Sequence, residues 1–112
     1  MKDKIVLVPF PFDDLTASKV RPAVCLTDEI KPHSHLVLAF ITSRISASTS
    51  ATDFVIDKSD ADFATTGLKV SSTIRLHRLM TVTKSIVLSE LGELSLAQRT
   101  EIENRLRKLF NL

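Results

Sequence analysis

The sequence predicts a mainly β fold, a small barrel or strongly bent sheet with helical additions, and three observations lead there. Short β-branched apolar runs recur along most of the chain, Pro- and Asp-containing punctuation cuts them to strand length, and helical spacing occurs only in the last segment. With 112 residues the chain has the length of one domain, spanning 1–112, and one continuous core is expected.

The first run, IVLVPF at 5–10, is β-branched and ends at a proline pair, which favours a strand. A polar connector, DDLTASK, leads to a second strand from Arg21 to about Thr27, with an arginine and a proline at its entrance. DEIKPHSH reads as a turn around Pro32, and LVLAFITS as a strand covered on both faces. From Arg44 to Thr66 the chain is rich in Ser, Thr, Ala and Asp and reads as a long surface excursion, with one strand-like island, DFVI, at 53–56. After Gly67 comes a β-rich stretch, VSSTIRLHRLMTVT, and then SIVLSELGEL, read as a short strand with a turn at Gly92. Ser95 followed three residues later by Gln98 is a capping-box pattern. Ile102, Leu106, Leu109 and Phe110 recur at helical spacing, so an amphipathic helix of about four turns closes the chain, its mixed Arg and Glu face turned to solvent.

Composition narrows the function. The 44% hydrophobic and 25% charged residues fit a globular protein, and a net charge of +2 confines any basic site to one locality. One cysteine, Cys25, sits in an apolar run and reads as a small core side chain in a reducing cytoplasm. No stretch reaches the roughly 20 apolar residues of a membrane span, and the start lacks a convincing signal peptide, so a cytoplasmic protein is expected. Glycine-rich phosphate loops and a serine-hydrolase elbow are absent; His33 and His35 lack the acidic or cysteine support of a metal site. No metal or cofactor is expected.

The polar residues that remain share one chemistry. In an extended 73–79 segment, Arg75 and His77 project from one face, while Thr42 and Ser43 bring hydroxyls to the polar end of their strand. Cation, hydroxyl and imidazole at strand ends are the ingredients of a phosphate site. RNA cleavage makes modest demands on such a site, since RNA carries its own nucleophile in the 2′-hydroxyl. The protein must orient the phosphate, stabilise negative charge and move two protons. Arginine suits the charge, and histidine as a residue type titrates nearer neutrality.

The run IVLVPFPFDDLTASKVRPAVCLT, followed by VLAFITS and later STIRLHRL, resembles the MazF/PemK toxins of type II toxin-antitoxin systems. The resemblance covers most of the chain. It implies an SH3-like barrel with a C-terminal helix, assembled as a homodimer and neutralised by a cognate antitoxin. It also implies metal-independent, sequence-selective cleavage of single-stranded RNA, leaving 2′,3′-cyclic phosphate and 5′-hydroxyl ends. Contact with operator DNA is expected only through the antitoxin. Arg21 matches the arginine of the family's Arg-Pro motif, assigned to catalysis and phosphate stabilisation. Thr42, with Ser43 beside it, matches a hydroxyl position at the end of the central strand, and Arg75 a second catalytic or RNA-binding arginine. Asp13, Asp14 and Lys19 fall in a connector that borders the RNA groove in the family.

Two departures stand out. Where relatives often show Arg-x-Asp, this chain has Arg75, Leu76 and His77, so the role of that aspartate does not transfer. His77 is then either an acid or base toward RNA or a polar strand residue. The Gly-Asp pair expected before the first strand is replaced by KDK. Two other readings are a toxin that binds gyrase without catalysis, against which the absence of tryptophan counts, and a degenerate member that binds only antitoxin and operator complex.

Overall fold

The computed structural model describes residues 1–10, 19–45 and 50–112; the connector residues Asp13 and Asp14 lie outside them. Six strands form one antiparallel sheet: β1 (Lys4–Phe10), β2 (Lys19–Cys25), β3 (His35–Thr42), β4 (Asp53–Ile56), β5 (Ser72–Thr83) and β6 (Ser89–Glu93). Their order is β4-β5-β3-β2-β1-β6, and the sheet curls into a half-barrel closed by a C-terminal helix, α1 (Leu96–Phe110). The DFVI island is β4 itself, on the edge of the sheet.

The central strands bury both faces, as their unbroken apolar runs require. Instead of the one core expected, the buried side chains form two clusters. Alternation along β3 divides them: Ala39 and Ile41 join Ile5, Val24, Ile74, Leu76 and Ile102, while Leu36 and Leu38 join Val6, Val8, Ala23, Cys25 and Val82. The helix covers the first cluster through buried Ile102 and half-buried Leu106, whereas Phe110 is 54% exposed and sits outside the core pattern expected of it.

The capping box is formed in full. Ser95 Oγ accepts from the Gln98 amide at 3.1 Å, and Gln98 Oε1 accepts from the Ser95 amide at 2.8 Å. Ser95→Ala is expected to lower stability by about 1 kcal/mol, read from urea unfolding. From the helix, Arg105 reaches back to the start of β4. Its Nη1 donates to the carbonyls of Asp53 at 2.6 Å and Ala51 at 3.2 Å, while its guanidinium lies 5.6 Å from the centre of the Phe54 ring. One side chain thus fixes the edge strand that brings Asp53 to the sheet.

Gly92 makes no turn. It lies within β6, paired with Ile5 beside a bulge in the β1–β6 register. Its reason is close approach: a Cβ there would stand 2.3 Å from the Thr65 carbonyl oxygen.

Burial pushes the Cys25 thiol up to about 11, with a smaller upward contribution from Glu90 opposed by the N-terminal amine. The folded chain therefore keeps the proton that the unfolded chain releases above its ordinary value of 9.0. Stability from this group is complete below 9.0 and falls as pH rises toward about 11. Urea unfolding across that range is expected to show the decline, and Cys25→Ala to flatten it. Thiol labelling at neutral pH is expected to follow global unfolding.

Candidate active site

Pro22 explains the opening of the sheet. It has no N–H to give a neighbouring strand, and the pairing of β2 with β3 begins only one residue later, with Ala23 opposite Phe40. Continuing that register would set Arg21 opposite Thr42, but the ladder is not made there, while the other edge of β2 stays paired with β1 through Val8 opposite Arg21. Arg21 is thereby held on a strand paired on one side and open toward the end of β3.

A cavity of about 210 Å³ occupies that opening. Arg21 lines it from β2, Phe40 to Thr42 from β3, Ser43 and Arg44 from the segment after β3, and Arg75 and Arg78 from β5. Four arginines converge on one cavity in a chain of net charge +2, a local concentration of basic side chains. Thr42 is oriented for donation: its Oγ1 accepts from the Arg44 amide at 3.2 Å, leaving its O–H free to give to a ligand oxygen.

Simple alternation misplaced one residue here and missed another. Opposite Ala39 and Phe40, β5 offers Leu79 and Arg75, so residues 76–78 form a bulge with no counterpart on β3. The bulge separates Arg75 from His77. Leu76 turns into the core, and His77 Nδ1 meets Thr52 Oγ1 at 2.9 Å, outside the cavity lining. Arg78 comes to the cavity instead, a position that period-two counting puts on the face opposite Arg75. Lys19, exposed at the start of β2 opposite Phe10, is also outside the lining. His33 and His35 have ring centroids 5.5 Å apart, and no group of three or more metal-binding side chains occurs among the described residues.

Toward the sheet edge the cleft continues into a second cavity, about 470 Å³, which shares Thr42, Arg44 and Arg75 with the first and adds Ile45, Asp53 and Thr73. Asp53 stands opposite Arg75 in the β4–β5 register, its Oδ1 3.9 Å from Arg75 Nε, and is 8% exposed. In the sequence Asp53 is only the first residue of the strand-like island at 53–56. The cross-strand register that makes it Arg75's carboxylate neighbour had no local signal.

A curled antiparallel half-barrel with an arginine-lined cleft at the open end of its central strands, closed by one helix, defines a small, mainly β barrel with a basic cleft. The chain belongs to the PemK-like, MazF-like toxins of type II toxin-antitoxin systems, the family whose sequence description matches residues 2–110. Among solved structures it is similar to the Mycobacterium tuberculosis toxin MazF-mt6, at 22% identity and a TM-score of 0.72, covering 97% of each chain. An endoribonuclease in complex with its cognate antitoxin, from a mycobacterial species, matches at 15% identity and a TM-score of 0.74, over 100% of this chain and 95% of that one. MazF from Deinococcus radiodurans matches at 18% identity and a TM-score of 0.69, over 99% and 96%. At these identities the likeness establishes the shared half-barrel fold. No match was found among curated proteins. No helix among the described residues is long and apolar enough to cross a membrane.

Proposed function

We propose that this toxin is a metal-independent, sequence-selective endoribonuclease acting on single-stranded RNA, with the cavity of Arg21, Thr42 and Arg75 as its active site. The observation that carries the reading is the convergence of four guanidinium groups and an oriented hydroxyl on one small cavity at the open strand end. The RNA 2′-oxygen attacks the adjacent phosphorus; the bond from phosphorus to the 5′-oxygen breaks. Water takes the 2′-hydroxyl proton and supplies one to the departing 5′-oxygen, so no proton is gained or lost overall, and the products carry 2′,3′-cyclic phosphate and 5′-hydroxyl ends. Arg21 stabilises the charge that builds on the non-bridging oxygens, where a preorganised donor acts most strongly. Thr42 donates to the phosphate and sets its orientation, with Ser43 beside it, and Arg75 holds the backbone.

Cleavage of a long mixed-sequence RNA by purified protein in EDTA, with analysis of product ends, tests the reading. Discrete cuts with cyclic-phosphate ends support it; intact RNA from folded protein rejects it. His77→Gln is expected to cleave with an unchanged pH–rate profile, because its imidazole faces Thr52 and not the cavity. Loss of a limb near neutrality in that variant would return His77 to the chemistry.

A cognate antitoxin and a second copy of the chain are the proposed protein partners, supported by membership of a toxin-antitoxin family and by the fold shared with an endoribonuclease solved with its antitoxin. Operator DNA is reached only through the antitoxin.

A further inference from the structure

We infer that Arg105, on the helix and outside the lining of the arginine cleft, is a positioning residue for cleavage: through the first residue of β4 it sets the guanidinium of Arg75. The inference rests on the RNA-cleaving reading above, which gives Arg105 no part.

Arg75 lines both cavities, and the Asp53 carboxylate is its neighbour on the protein side, with Oδ1 3.9 Å from Nε. Both of these atoms are buried and have no hydrogen-bond partner among the described residues. Opposite charges at that separation hold each other by Coulomb attraction, which is stronger out of water, so the place of the carboxylate decides that of the guanidinium.

Asp53 in turn is placed by its backbone. It opens β4, a four-residue strand at the sheet edge with β5 as its one strand neighbour. The Leu76 amide donates to the Thr52 carbonyl at 2.9 Å, so the next pair along, Asp53 opposite Arg75, is a non-hydrogen-bonded one. In such a pair the side chains lie closest and the backbone groups point away from the partner strand. The outward amide of Asp53 donates to the Ser50 carbonyl at 3.1 Å, and its outward carbonyl accepts from Arg105 Nη1 at 2.6 Å. The same Nη1 donates to the Ala51 carbonyl at 3.2 Å, while Nε donates to Glu101 Oε1 at 2.7 Å and so fixes the plane of the fork. The end of a short edge strand is where a sheet opens most readily. The tie from the helix falls on that end, at the residue that faces Arg75.

Arg105→Met tests this, since it keeps an unbranched stem and removes the donors. With folding checked by circular dichroism, it is expected to lower kcat/KM for RNA cleavage about 10- to 100-fold, because a shift of about 1 Å imposed from far off can cost 100-fold. In an Arg75→Ala background the same substitution is expected to cost nothing further, because the group it positions is gone. Ser95→Ala, which weakens the same helix at its capped end, is expected to leave cleavage unchanged. A second readout needs no RNA. The NMR signal of the buried Arg75 Nε–H, assigned by its absence in Arg75→Ala, is expected to move in Arg105→Met and to stay in Ser95→Ala. An unmoved signal overturns the proposal, as does an equal loss of cleavage in both backgrounds, which would make Arg105 a structural residue only. If wild type leaves every RNA intact, the ribonuclease reading falls, and the Arg75 signal by itself decides the positioning. Should Arg105→Met fail to fold, Glu101→Ala, which keeps the donors but frees the fork, is read by the same two measurements with the same expected and overturning results.

Discussion

Arg21→Ala is expected to lower the rate of RNA cleavage about 100- to 1000-fold, the loss typical of one preorganised donor to a transition-state oxyanion. The expectation follows from the way β2 is built. Pairing with β1 fixes the backbone of Arg21, while Pro22 ends the ladder on the other side, so the guanidinium is presented to the cavity from a braced strand. A group held in advance need not reorganise as charge develops, which is what separates transition-state stabilisation from ordinary phosphate binding. The fall should therefore appear in kcat as well as in kcat/KM. An increase in KM alone, with kcat unchanged, would reduce Arg21 to ground-state binding and move the charge-stabilising role to Arg44, Arg75 or Arg78. Single-turnover cleavage of one short RNA, with saturating protein, separates the two.

Most of the fold was legible because its strands and helix obey local rules. IVLVPF, LVLAFITS and DFVI became strands within a residue of where their apolar runs lie, and the Ser95 and Gln98 pair started the helix as its spacing requires. What failed was whatever depends on a neighbouring strand. Gly92 looked like a turn because its neighbour Thr65, whose carbonyl forbids a side chain there, is distant in sequence. Arg75 and His77 were assigned one face by a count of two, and the three-residue bulge opposite Ala39 and Phe40 broke that count. The candidate site was legible to the same extent. Arg21, Thr42, Ser43 and Arg75 line one cavity, whereas Arg78 reaches that cavity through a bulge and Asp53 the adjoining one through a cross-strand register, neither of which a local pattern announces.

Arg75→Ala is expected to destabilise the fold as well as slow cleavage, and a second substitution should separate the two effects. With Arg75 gone, Asp53 keeps its buried position but loses the cation 3.9 Å away, and an uncompensated buried polar group costs about 1–3 kcal/mol. Arg75 is 41% exposed, so solvent already screens the pair and the loss should fall toward the lower end of that range. Removing both partners strands neither charge. Asp53→Ala with Arg75→Ala should therefore recover part of the stability lost in Arg75→Ala, because the alternative to a mismatched pair is no pair at all. Cleavage should not recover, since the arginine proposed to hold the RNA backbone is still missing. Urea unfolding of wild type, both single variants and the double variant completes the cycle. Additive losses would mean that the two side chains do not interact, and Arg75 would then owe its placement to the β5 bulge alone.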